Sequence, residues 1–290
     1  MRRILLAIVY SLLLSPAGTA FSQPDFSAFV TFGDSLTHND LLGIAYDNPQ
    51  DLYGEDPAEA VFSKGALPDD TLNSYAIGGS QAKDISRQID VYELCERIGT
   101  QLRATLINFQ IGGNDILNNF DELAAHAPGT DSAADGIIDT LLATMKEDML
   151  RLYDAHQDAR FIVWTIPDVT IAPKHYGALT GAEMGNVRAH IDEVNRFIRS
   201  LDQYSFVVVL DLYRLFQQIV ATPPSGNGHQ LVPPPAYGDY DNMFADEIHP
   251  TAVSNAMVAN TIINQMNKKW KGAIPRYSAP ELIHLAGISD

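Results

Sequence analysis

Five short apolar runs, separated by longer stretches of which several carry a helical period, constrain this 290-residue chain more than any other feature. The runs occupy residues 28–32, 72–77, 104–111, 161–166 and 206–210, the last rich in valine. Between the third and fourth, residues 133–156 place Ile137, Ile138, Leu141, Leu142, Met145, Met149 and Leu152 on one stripe at three- and four-residue spacing. Residues 180–201 repeat the pattern with Met184, Val187, Ile191, Val194, Phe197 and Ile198, and a last helix after Pro250 carries Val253, Met257, Val258, Ile262 and Ile263. Strands joined through helices of this length need crossover connections, which give a mainly parallel sheet covered on both faces. In such a sheet ligands bind beyond the carboxyl ends of the strands, so chemistry-bearing residues just after each run are the ones to weigh.

The amino terminus reads Met1-Arg2-Arg3, then an apolar run from Ile4 to Leu14, then small residues through Ala20. A charged start, an apolar stretch too short to span a bilayer and a small-residue exit predict a secretory signal peptide over residues 1–22, cleaved after Ala20 or Ser22. The remaining residues 23–290 are of the size of one α/β domain with a full core. A secreted or periplasmic address follows. Cys95 is the single cysteine, which excludes an intramolecular disulfide, and its spacing with Ile89 and Tyr92 predicts a buried small hydrophobe. The formal net charge of −17 disfavours nucleic acid and anionic bilayers as partners. No stable membrane insertion, cofactor or metal is expected, and no protein partner is inferable from the sequence.

Four separated blocks carry the chemistry: Gly33-Asp34-Ser35-Leu36 after the first run, Ala76-Ile77-Gly78-Gly79-Ser80 after the second, Ile111-Gly112-Gly113-Asn114-Asp115 after the third, and Asp246-Glu247-Ile248-His249-Pro250 near the end. This ordered set resembles the SGNH hydrolases, the GDSL lipases and esterases, from Phe29 to the helix after Pro250. The resemblance implies a flavodoxin-like, single-domain three-layer α/β/α sandwich around a five-stranded, mainly parallel sheet. It also implies carboxylic-ester hydrolysis through an acyl-enzyme on small-molecule or lipid esters, and it assigns the four named positions to Ser35, Gly79, Asn114 and His249, with Asp246 beside the histidine.

These residue types suit acyl transfer. A serine hydroxyl attacks a carbonyl only when a base takes its proton, and an imidazole titrates near working pH, so His249 is the expected base for Ser35. Asp246, on the same turn, would fix the imidazole tautomer. The backbone N–H groups of Ser35 and Gly79 and the side-chain amide of Asn114 are the expected oxyanion donors. Gly78 is the alternative to Gly79, because the paired glycines leave one residue of play.

Ser80 is a rival nucleophile, since Gly78-Gly79-Ser80-Gln81-Ala82 misses the Gly-x-Ser-x-Gly elbow by one residue. Asp34 is expected to bind nearby backbone and Asp115 to tie down its own turn. His38, His126, His156, His175, His190, His229 and His284 are read as surface residues, His38 being nearest the nucleophile. Asp239 and Asp241 are read as an exposed acidic loop rather than a calcium site. Two long irregular stretches, residues 39–70 and 222–242, flank the site in sequence, and Tyr46, Tyr53, Phe62, Tyr237, Tyr240 and Phe244 in or beside them are candidates for a pocket wall. The functional alternatives are a non-catalytic surface-binding protein that keeps the fold, and a metal-dependent phosphoesterase, which would need more His and Asp ligands than the motifs supply.

Overall fold

The computed structural model describes residues 24–38, 52–226 and 228–288. The expected signal segment, Tyr46, and the part of the first long stretch before Leu52 lie outside these residues. Five parallel strands, β1 (Phe29–Phe32), β2 (Leu72–Ser74), β3 (Leu106–Phe109), β4 (Arg160–Trp164) and β5 (Val207–Leu210), form one sheet in the order β2-β1-β3-β4-β5. That is the flavodoxin-like order, in which the chain winds outward both ways from the pair β1 and β3. The fold class read from the sequence is the one observed.

Residues alternate across the sheet because successive side chains of a strand point to opposite faces. Val30, Ile107, Phe161 and Val207 share one row and enter the core beneath α2 (Ala82–Arg97), α5 (Ser132–Ala155) and α6 (Gly181–Ser200). Phe29, Leu106, Ile162 and Val208 face the other core, under α1 (Pro57–Gly65), α7 (Leu212–Ala221) and α8 (Ala252–Trp270). Burying each such side chain contributes about 1.5–3 kcal/mol, and both faces are lined this way, which is why the runs read as continuously apolar.

Helix starts follow their caps. Asp131 accepts from the N–H groups of Ala133 and Ala134 to open α5, and Thr180 with Glu183 forms a capping box at the start of α6. The strands β2 and β3 stop short of the apolar runs. Beyond them the N–H of Ile77 still reaches the Gly33 carbonyl and that of Gln110 the Phe32 carbonyl, while the chain turns to present the site.

Several expectations are corrected. The stretch over residues 39–70 contains α1, with Asp56 as its N-cap and Pro57 in its first turn. The stretch over residues 222–242 and the two residues after it hold two small two-stranded sheets, Ser225–Gly226 with His229–Gln230 and Val232–Tyr237 with Asn242–Phe244. His156 and His190 are buried: the first packs beside Tyr92, and the second lies 2.9 Å from the His126 carbonyl through Nε2. Cys95 is only half-buried, on the side of α2 that also leaves Val91 and Leu94 exposed. A short tail helix, α9 (Ala279–Leu285), sets Leu282 and Leu285 against the second core. Among the described residues no helix is long and apolar enough to cross a membrane.

Candidate active site

The chain leaves β1 at Phe32 and enters a turn that tolerates only glycine at position 33, because a Cβ there would sit 2.3 Å from the Gln110 carbonyl oxygen. Gln88, a buried polar residue on the apolar stripe of α2, holds this glycine by both backbone groups: the Gly33 N–H donates to Oε1 at 2.9 Å and Nε2 donates to the Gly33 carbonyl at 2.8 Å. Asp34 follows, buried, its carboxylate accepting from the Leu36 N–H at 3.0 Å and from Gln110 Nε2 at 3.1 Å. Burial pushes its pKa up to about 6, against those hydrogen bonds and the nearby His249. It therefore braces the turn, as expected from the sequence.

Ser35 emerges from this turn with Oγ 2.9 Å from His249 Nε2, and His249 Nδ1 lies 2.7 Å from Asp246 Oδ2. The network assigns the proton of the ring to Nδ1, donating to the carboxylate, and leaves Nε2 to accept from the serine. Asp246 Oδ1 takes the N–H groups of Ile248 and His249, both at 2.6 Å, and the turn is closed by Ala245 N–H to the His249 carbonyl at 2.8 Å. Burial works to raise the Asp246 pKa. The hydrogen bond and charge of His249 and the two N–H donors outweigh it and hold the carboxyl well below the usual carboxylate range.

Gly79 has φ +80 with open space around the position a Cβ would take, and it faces the same cleft as Ser35, Asn114 and His249. Gly78 does not line it, so of the two glycines the geometry favours Gly79. Among the described residues the backbone N–H groups of Ser35 and Gly79 have no protein acceptor. Asn114, in the first turn of α3 (Gly113–Asn118), donates through Nδ2 to the Ser80 carbonyl at 3.0 Å, leaving its second amide proton for another acceptor.

Ser80 is a structural hub. It is buried, its hydroxyl accepts from Gln88 Nε2 at 3.1 Å, and its carbonyl receives Asn114. Asp115 binds its own backbone N–H and also accepts from the Ala82 N–H at 3.0 Å, tying the start of α2 to α3. His38 places Nδ1 2.7 Å from the Ala76 carbonyl and is outside the cleft lining.

The cleft has a volume of about 150 Å³ and apolar walls from Leu36, Leu117, Val169, Phe216, Phe244 and Ile248. Of the aromatic candidates among the described residues only Phe244 lines it. Phe62 packs against Phe26 and Phe29, Tyr237 and Tyr240 are exposed, and Tyr53 donates to Asp246 Oδ2 at 2.9 Å. Sequence reasoning missed Gln88, Gln110 and the acid partner of Tyr53. For Gln88 a signal existed: it interrupts the apolar stripe of Ile85, Ile89 and Tyr92 on α2. Among the described residues Glu122, His126 and Asp131 form the one trio near enough to share a metal ion, on the surface and outside the cleft lining; Asp239 and Asp241 form no such group.

The model of the GDSL-like lipase/acylhydrolase family matches residues 29–262, which takes in all four sequence blocks. No curated protein matches the sequence significantly. Among solved structures, the lipase Lip_vut3 from a goat rumen metagenome superposes with a TM-score of 0.55 at 12% identity, covering 82% of this chain and 96% of its own. A mutant of Axe2, an acetyl-xylooligosaccharide esterase from Geobacillus, superposes at 0.53 with 15% identity, covering 86% of this chain and 96% of its own. At such identities the likeness speaks for the fold, while the family model reaches across the whole sheet and the site. The chain belongs to the GDSL-like lipase/acylhydrolase family and is an ester-hydrolysing enzyme.

Proposed function

We propose that this protein is an exported serine carboxylic-ester hydrolase that works through an acyl-enzyme on Ser35. The observation that carries the reading is the continuous chain of hydrogen-bond distances from Ser35 Oγ to His249 Nε2 and from His249 Nδ1 to Asp246 Oδ2, 2.9 and 2.7 Å, at the mouth of an apolar cleft. As Ser35 Oγ attacks the ester carbon, His249 takes its proton; the carbonyl oxygen, now negative, lies among the Ser35 and Gly79 N–H groups and the free amide proton of Asn114. Collapse expels the alcohol, which receives the proton from His249, and water repeats the sequence on the acyl-enzyme.

Among the described residues no lysine or arginine lines the cleft, and its walls are apolar. It is also smaller than the roughly 300–1,000 Å³ common for drug-sized ligands. These features favour a short, uncharged acyl group over a long or anionic one. The domain of this reading spans residues 23–290, after a signal peptide over residues 1–22. Its substrate is a small-molecule or lipid ester met outside the cytoplasm, without nucleic acid or stable membrane insertion.

The test is a fluorophosphonate probe with peptide mapping, beside p-nitrophenyl esters of increasing chain length. Labelling of Ser35, with its loss in Ser35→Ala and turnover concentrated on short chains, is the expected result. Folded protein that stays unlabelled and inactive on every ester would instead support a non-catalytic binding protein.

A further inference from the structure

Tyr53 lies 193 positions before Asp246 in the sequence, yet its hydroxyl donates at 2.9 Å to Oδ2, the same oxygen that His249 Nδ1 meets at 2.7 Å. With two N–H groups on Oδ1, every acceptor direction of this carboxylate is taken by a protein donor. The side chain of Asp246 is nonetheless 36% exposed, so without the phenol one face of Oδ2 opens to water.

The tyrosine is held in place from the side of the base. The Ala252 N–H donates to the Leu52 carbonyl at 2.8 Å and Asn255 Nδ2 to the Tyr53 carbonyl at 3.0 Å, both from the first turn of α8, which begins three residues after His249. Next to it Gly54 has φ +57 and packs so closely that a Cβ would lie 2.6 Å from the Ala252 Cβ. The Tyr53 ring meets the imidazole edge to face, with centroids 6.0 Å apart and planes at 89°. One helix start thus fixes the backbone of the tyrosine and also follows the turn that carries the acid and the base.

From this geometry we propose that Tyr53 is a positioning residue for the Ser35, His249 and Asp246 array, acting through Asp246: its phenol fixes the orientation of the carboxylate and tempers the basicity of the oxygen that pairs with the imidazole. The inference rests on the reading of Ser35 as nucleophile and His249 as base. A donor to Oδ2 draws electron density from the oxygen that stabilises the imidazolium, so its removal makes His249 more basic. Besides Asp246, through which Tyr53 acts, Asp34 on the nucleophile turn also faces the imidazole, and its own partners are Leu36 and Gln110 rather than Tyr53.

The experiment is the pH dependence of fluorophosphonate labelling in wild type, Tyr53→Phe, Asp246→Asn and the double variant. In this reaction the Ser35 oxygen bonds to phosphorus, fluoride leaves, and the proton passes to His249, so the rate rises with the fraction of neutral imidazole. Phe keeps the ring and removes only the hydroxyl. We expect the midpoint of the rise to move up by about half a pH unit or more and the limiting rate to fall about three- to tenfold. In the Asp246→Asn background the same change should alter neither quantity, as a shared pathway requires. Superimposable profiles for wild type and Tyr53→Phe, or effects that multiply unchanged in the Asp246→Asn background, would overturn the proposal while leaving the nucleophile assignment standing. Wild-type protein that never labels at Ser35 would overturn both.

Discussion

Gln88 and Gly33 are joined twice, amide to peptide, with the glycine N–H on Oε1 at 2.9 Å and its carbonyl on Nε2 at 2.8 Å. Because Nε2 also reaches the Ser80 hydroxyl at 3.1 Å, this one side chain couples the turn that carries Ser35 to the turn that presents Gly79. Gln88→Leu would leave the buried Gly33 groups without partners. We expect a loss of about 2 kcal/mol in stability, read by urea unfolding, together with a fall in kcat larger than any change in KM. Unchanged unfolding and kinetics would show that the clamp is dispensable.

The two serines separate cleanly. Ser35→Ala should lower ester hydrolysis by at least about 10⁴-fold, since removal of a nucleophile leaves only binding and oxyanion stabilisation. Ser80→Ala, which removes a buried acceptor of Gln88, should keep catalysis within about tenfold and show its effect in thermal stability instead. Steady-state kinetics on p-nitrophenyl acetate decides between them, and the reverse ranking would move the nucleophile to residue 80.

Asn114 holds Ser80 with one amide proton and is left with the other. Asn114→Ala is expected to reduce kcat about 100- to 1,000-fold, about 3–4 kcal/mol of transition-state stabilisation, with KM little changed. A variant that instead raised KM alone would place Asn114 in substrate binding.

Asp34 gives the fold a pH signature. Its folded pKa is pushed up to about 6 from an ordinary 3.8, with burial the leading cause. A raised pKa contributes stability that is complete below about pH 4 and is lost as pH climbs through about 6, by at most about 3 kcal/mol. Asp246 runs the other way: its depressed pKa adds stability above the ordinary carboxylate range that disappears as acid protonates it. Asp34→Asn should therefore flatten the decline between about pH 4 and 6 without touching the acid limb, as differential scanning calorimetry across that range would reveal. An unaltered curve would mean that Asp34 ionises as freely folded as unfolded.

Local pattern carried much of this molecule and contact geometry carried the rest. The five strands were legible because both faces of the sheet are covered, leaving runs such as Phe29-Val30-Thr31-Phe32 almost wholly apolar. Asp246 and His249 could be read as a pair because their bond spans three residues of one turn. Tyr53 on Asp246, Gln88 on Gly33 and Gln110 on Asp34 span 193, 55 and 76 residues, and no periodicity connects such positions. His156 was misread for a different reason: an imidazole is apolar enough to pack beside Tyr92, so its residue type alone does not decide between surface and core. Cys95 shares helical spacing with buried Ile89 and Tyr92, but exposed Val91 and Leu94 lie beside it on the same helix, and the stripe does not say where burial ends.

The order β2-β1-β3 sets the ends of three adjacent strands side by side, so that Ser35, Gly79 and Asn114 arise from neighbouring loops within the first half of the chain. The proposed base arrives only with the loop before α8, after β5 has closed the far edge. During synthesis, then, every residue of the proposed anion cradle emerges long before the residue proposed to activate the hydroxyl beside it. A nascent chain halted ahead of residue 246 would be chemically mute, and competence to cleave esters would come last, once the carboxyl-terminal helices dock.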